Sequence, residues 1–251
     1  MIKTFLARLS QKYRTNDYPK KIPSLPDRFR GMPAFDSAEC PGGCAACAAS
    51  CPAQAISNVN GLTVDLGACI FCTECTSACS NHVMHATTGF ELSSRTRNNL
   101  LTTGKTSSVP CVPLRPELKK LFGSSLRLRQ VSAGGCNACE ADINVLSTVA
   151  WDVGRFGIQV VASPRHADGL IITGPVTENM RVALKKTYDA IPAPKLVVAC
   201  GACAISGGIY RTSPEQHQGA ESQLPVDLFI PGCPPHPLTI LHGLLRLLGK
   251  V

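Results

Sequence analysis

Eight cysteines between Cys40 and Cys79 fall into two runs of four. The second run, Cys69-x2-Cys72-x2-Cys75-x3-Cys79, has the spacing of iron–sulfur ligation, in which three thiolates curl around one [4Fe-4S] cubane and the fourth serves the other cluster. The first run reads Cys40-Pro-Gly-Gly-Cys44-x2-Cys47-x3-Cys51-Pro52. Its first gap is one residue longer, which glycine's conformational freedom accommodates, and Pro52 turns the chain away as Cys51 leaves for the second cluster. The spacing predicts one site from Cys40, Cys44, Cys47 and Cys79, and another from Cys69, Cys72, Cys75 and Cys51. Zinc sites commonly use separated pairs of ligands rather than interleaved triplets, and disulfide frameworks belong to oxidising compartments. His82 and His85 follow the second run, but eight thiols leave them nothing to ligate.

A second constellation consists of Cys136-Asn-Ala-Cys139, Cys200-Gly-Ala-Cys203 and Cys233 within Pro-Gly-Cys-Pro-Pro. The elements that must position it are legible in the hydrophobic pattern. Short apolar runs predict strands over 126–131, 158–162, 169–173, 195–199 and 226–230, with helices over about 140–150, 177–190 and 237–249. This alternation predicts an α/β, flavodoxin-like, doubly wound parallel sheet. Each cysteine group follows a strand, and ligands in such sheets sit at the strands' carboxyl ends. A redox dithiol needs two thiols; here five converge, four would hold a third cubane, and the residues alone leave the spare open. Cys111 stands by itself and needs no ligand role.

The remaining organisation is an extended basic arm (1–39), a small α+β ferredoxin-like two-cluster domain (40–91), a linker (92–125) and the α/β domain (126–251). Phe5, Leu6 and Leu9 suggest an apolar helical face in the arm, and Asn60-Gly61 predicts a hairpin turn within 55–65. The net charge of +8 is concentrated, with +6 in residues 1–30 and +7 in residues 95–129. No aromatic-rich surface accompanies it, which argues against nucleic acid and favours a partner subunit or anionic headgroups. Apolar stretches are too short for a bilayer span, and residues 1–10 are expected to be neither a cleavable leader nor a twin-arginine signal. The expectation is a chain in a reducing, cytoplasmic setting.

Residues 126–249 resemble the small-subunit family shared by nickel–iron hydrogenases and the complex I subunit that holds its last cluster. The matching stretches are Gly134-Gly-Cys-Asn-Ala-Cys-Glu140, Ser163-Pro-Arg-His-Ala-Asp168, Thr173-Gly-Pro-Val-Thr177, Gly201-Ala-Cys-Ala-Ile-Ser-Gly-Gly208 and Pro225-Val-Asp-Leu-Phe-Ile-Pro-Gly-Cys-Pro-Pro235. The resemblance implies a proximal [4Fe-4S] set of Cys136, Cys139, Cys203 and Cys233, with Cys200 the spare. Cys136 and Cys139 stand two residues apart, as in the hydrogenase branch, particularly formate hydrogenlyase-like membrane-bound members; complex I members carry adjacent cysteines. Residues 18–92 resemble the ferredoxin-type subunit of the same complexes through Tyr18-Pro19, Phe29-Arg-Gly-Met-Pro33, Cys69-Ile-Phe-Cys72 and Phe90-Glu-Leu92. The chain thus looks like a fusion of two electron-transfer subunits with three [4Fe-4S] clusters and no catalytic residues of its own.

The implied partners are a large catalytic subunit with a nickel–iron centre, a further redox subunit and membrane-arm subunits. They imply a peripheral position on the inner face of the cell membrane. A complex I-like or sulfur-reducing relative without nickel is the alternative within oxidoreductases. A cluster storage or delivery protein is the rival from another class, and it would not need a site built from three distant segments. Near the proximal set, Arg165, His166 and Asp168 are candidates for tuning a cluster through hydrogen bonds or for fixing a loop against a partner. Glu140 reads as an exposed carboxylate at a helix N-terminus. Asn137 and the Gly134-Gly135 pair read as loop-shaping residues.

Overall fold

The computed structural model describes residues 2–36, 38–40, 44–59, 61–104 and 108–251. Residues 41–43, the long gap of the first cysteine run, and Asn60, the first residue of the expected hairpin turn, lie outside them. The N-terminal part is built from short elements: α1 (Ile2–Gln11), β1 (Pro33–Ala34), α2 (Ala46–Ala49), β2 (Ile56–Ser57), β3 (Thr63–Asp65), α3 (Glu74–Ala78), β4 (His85–Ala86) and β5 (Leu101–Thr102). The expected pairing of β2 with β3 is present in the register Ile56↔Val64, and β5 extends it through Val64↔Thr102. β1 pairs with β4. Elements this short are marginal alone. They are held instead by Leu62, Val64, Leu66, Val83 and Met84, which share one apolar core with the following domain.

After α4 (Pro116–Phe122), with its proline in the first turn where no N–H is missed, the α/β part begins. It comprises β6 (Leu126–Ser132), α5 (Ala138–Val145), β7 (Ile158–Val160), β8 (Gly169–Thr173), α6 (Glu178–Asp189), β9 (Leu196–Cys200), α7 (Ala202–Ser206), β10 (Leu228–Ile230) and α8 (Pro237–Leu247). The sheet order is β7-β6-β8-β9-β10, all parallel. Counted along the chain this is 2-1-3-4-5, the flavodoxin-like order. Every residue of β8, β9 and β10 is buried, as strands covered on both faces require. One core gathers Leu184 of α6 and Ile205 of α7 with Leu170, Ile172 and Val197. The other gathers Ile143 of α5 and the apolar side of α8 with Leu128, Ile171 and Val198.

Two segments pack more closely than their composition suggests. In the stretch read as a linker, Ser94 bridges antiparallel to Phe229, and Val109, Cys111, Leu114 and Phe122 are buried. The N–H of Leu114 donates to the Leu247 carbonyl at 2.9 Å. In the stretch read as an extended arm around a neighbour, Tyr18 is buried in this chain's own core. Its ring meets Phe90 edge-on, and its hydroxyl hydrogen-bonds His242 Nδ1 of α8. Phe29 packs edge-on against His236. Apolar side chains scattered among prolines carry no period, so the sequence could not show which surface they cover.

Candidate iron–sulfur sites

The carboxyl ends of β6, β9 and β10 meet at one end of the sheet. Leaving β6, the N–H of Ala133 donates to the Thr173 carbonyl at 2.7 Å, and Gly135 passes Gly174 so closely that a Cβ would stand 3.1 Å from its Cα. Asn137 takes a left-handed conformation (φ 72°), from which α5 starts with Cys139 in its first turn. Leaving β9, Gly201 has φ 96° and ψ 154°, a region only glycine enters readily. A Cβ on Gly201 would lie 2.6 Å from Cys139 Sγ, and one on Gly208 would lie 2.9 Å from Cys203 Sγ. These glycines let two loops close over sulfur atoms. Cys139 is near enough to feel the charges of Glu140, Cys203, Cys233 and Cys136, and Cys203 likewise feels those of Cys233 and Cys136. Cys136 and Cys233 are exposed, so the group opens to the surface. Cys200 ends β9 wholly buried.

Cys40, Cys44, Cys47 and Cys79 line one small cavity with Leu62, Val83 and Met84. Cys69, in turn, faces Cys75, Cys51 and Cys72. Main-chain N–H groups point at several sulfurs: Ala55 to Cys51 and Phe71 to Cys69, each at 3.3 Å. The N–H groups of Met84, Val83, Asn81 and His82 surround Cys79 and hold its thiol below the usual range. Cys233 also lies within electrostatic reach of Cys72, so the strand-end group is near the second group. The seam is closed by Ser206 Oγ donating to the Gly67 carbonyl at 3.1 Å and by Arg211 bonding Gln54 at 2.7 Å.

Burial pushes the thiols of Cys69 and Cys203 up to about 12 and about 11, and Cys139 further still. Without a cation these sulfurs would stay protonated; a bound metal displaces the protons. Four cysteines each would give the soft donor set that iron–sulfur clusters require; the Glu140 carboxylate, whose charge bears on Cys139 and Cys203, is engaged by Thr173 Oγ1. Among the described residues no group of three or more His, Cys, Asp or Glu converges as the ligands of one metal ion do. In a cubane each thiolate binds its own iron, so the four sulfurs stand around the cluster instead of meeting at one point. The donor chemistry, the cavity and the sulfur-directed N–H groups all fit a cluster.

Comparison with known proteins gives the chain its relatives. The family model described as NADH ubiquinone oxidoreductase, 20 Kd subunit, matches residues 136–247. The probable membrane-bound hydrogenase subunit mbhJ of Pyrococcus furiosus is 42% identical over 135 residues, covering 54% of this chain and 81% of the relative. The chain belongs to this oxidoreductase subunit family. Formate hydrogenlyase subunit 7 of Escherichia coli is 41% identical over 136 residues, covering 54% of this chain and 53% of its own length. A subunit of the NADH-quinone oxidoreductase of Clostridium beijerinckii is 45% identical over 118 residues, covering 47% of this chain and 70% of the relative. These matches span about half of the present family member.

Two expectations about side chains change. Glu140 is buried at 5% exposure, and its carboxylate accepts from Thr173 Oγ1 at 2.6 Å. The close passage of Gly135 past Gly174 folds it inward; only the neighbouring strand end, distant in sequence, reveals this. Arg165, His166 and Asp168 do not join the cysteines. The Asp168 carboxylate accepts from the Arg127 N–H at 2.7 Å, at the amino end of the parallel strands β6 and β8. That is the opposite edge of the sheet, so these residues brace a loop there. Sequence reading also passed over Arg30, whose guanidinium donates to the Cys72 carbonyl at 3.4 Å.

Proposed function

We propose that this chain is the iron–sulfur electron-transfer subunit of a membrane-associated, nickel–iron hydrogenase-type complex. Residues 40–91 form its ferredoxin-type unit and residues 126–251 its small-subunit-like unit, joined by 92–125 and preceded by 1–39. Three [4Fe-4S] clusters are assigned: one to Cys40, Cys44, Cys47 and Cys79, one to Cys51, Cys69, Cys72 and Cys75, and a proximal one to Cys136, Cys139, Cys203 and Cys233.

The observation that carries this reading is continuity. Cys233 lies within electrostatic reach of Cys72, and the strand-end group reaches the surface at Cys136 and Cys233. A relay that ends at an exposed patch suits a large catalytic subunit docked over that patch, with the further redox partner at the ferredoxin-type end. Bound clusters would supply one-electron transfer. The chain's own residues fix their ligands, shield them with Leu62, Val83 and Met84, and direct N–H dipoles at sulfur, a lever on potential. Catalysis belongs to the partner. The two-residue separation of Cys136 and Cys139 supports the hydrogenase branch. The 45% match to an NADH-quinone oxidoreductase subunit keeps a nickel-free partner as the second reading, and nickel analysis of the co-purified complex separates the two. Among the described residues no helix is long and apolar enough to cross a membrane, which fits peripheral attachment.

Iron and sulfide analysis with EPR of the reduced protein is expected to show three tetranuclear clusters. Cys233→Ser should remove one signal and spare two. A count of two in the unsubstituted protein would overturn the proximal site.

A further inference from the structure

No residue of α1 is buried. Ile2, Phe5, Leu6 and Leu9 are 78%, 66%, 57% and 60% exposed. At 3.6 residues per turn these four lie on an arc of about 100°, with Lys3 and Arg8 on its two flanks and Thr4, Ala7 and Gln11 opposite. Lys3, Arg8, Lys12 and Arg14 are unopposed: the first acidic residue is Asp17. Arg8 donates to the Lys12 carbonyl and lies 4.2 Å over the ring of Tyr13, which is itself exposed.

The base of the helix is fixed. The N–H of Asn16 donates to the Ala150 carbonyl at 3.0 Å, and Arg155 donates to the carbonyls of Asn16 and Tyr18, each at 2.8 Å. A naked apolar stripe therefore stands on an anchored stem. An apolar protein groove would match the stripe but gives no reason for cations on both of its edges and none for the lack of acids. A lipid interface accounts for both features, because lysine and arginine stems lie along the apolar boundary while their charges reach the headgroups. An aromatic at the end of the helix fits the same interface.

The geometry points to α1 as a direct lipid-binding element. It lays Ile2, Phe5, Leu6 and Leu9 into the surface of an anionic bilayer, with Lys3, Arg8, Lys12 and Arg14 among the headgroup phosphates. Contact with the membrane is then made by this chain itself, besides any made through partner subunits. One short helix binds reversibly, and each cation near the surface strengthens binding about fivefold.

The test is flotation of the full chain with vesicles of phosphatidylcholine alone or with added phosphatidylglycerol. The chain should float with the anionic vesicles only and be released by salt. Lys3→Gln should weaken binding about fivefold. Phe5→Ser with Leu9→Ser should abolish it at unchanged charge; both side chains are exposed, so iron content and circular dichroism should stay those of the parent. Binding of the double variant equal to the parent would overturn the proposal in favour of attraction by basic residues elsewhere. Failure of the parent chain to float would overturn it in favour of a protein partner for α1.

Discussion

Replacing Gly201 by alanine tests how the strand-end site is built. At φ 96° and ψ 154°, a side chain costs about 1–3 kcal/mol of backbone strain. The added Cβ would stand 2.6 Å from Cys139 Sγ, with the Gly232 carbonyl at 3.6 Å and Pro235 Cδ at 3.7 Å behind it. Heavy-atom contacts relax near 3.5–4.0 Å, so the sulfur must retreat by about 1 Å. Metal–ligand distances tolerate roughly 0.2 Å, and the displacement exceeds that several-fold. Gly201→Ala is therefore expected to lose one cluster by iron count and EPR, keep the other two, and lower stability to urea by about 1–3 kcal/mol. Gly61 separates the two effects. It has φ 97°, but a methyl group there would meet nothing within 4 Å, so Gly61→Ala should show backbone strain of about 1–2 kcal/mol with all cluster signals intact. A Gly201→Ala protein with the parent's full set of signals would refute the reasoning.

Other consequences are as direct. Thr173→Val leaves the buried Glu140 carboxylate without its hydroxyl partner and should cost about 1–3 kcal/mol in urea denaturation; Glu140→Gln, which keeps an acceptor for Thr173, should cost less. Burial, aided by Arg246, holds His242 down to about 4. Between the ordinary histidine value near 6.5 and about 4 the unfolded chain takes up a proton that the folded chain refuses, so stability falls as pH drops through that window, by at most about 1.4 kcal/mol per pH unit. Urea midpoints at pH 7 and pH 5 measure it, and the slope should be shallower when His242→Phe is combined with Tyr18→Phe, which removes both polar partners.

The sequence by itself determined the features that local spacing encodes. Two cysteine runs, the strands expected over 126–131 and 169–173, the hairpin of β2 and β3, and the helix before Leu247 are each written locally, as cysteines three or four residues apart, short apolar runs, an Asn-Gly turn and a helical period. Contacts between distant segments are not written there. Cys136, Cys139, Cys203 and Cys233 adjoin because parallel strands deliver their loops to the same edge, and the order of those strands is a property of the whole sheet. The same order sends Asp168 to the far edge, although it lies closer in sequence to the cysteine loop of β6 than Cys203 does. Glu140 turns inward because two glycines let backbones touch, and Cys233 comes within electrostatic reach of Cys72 because one apolar core joins the two halves. Short-range chemistry thus singled out the cysteines of the first two runs as candidates. Only tertiary structure decided which surfaces met, because burial and close approach depend on partners far away in the chain.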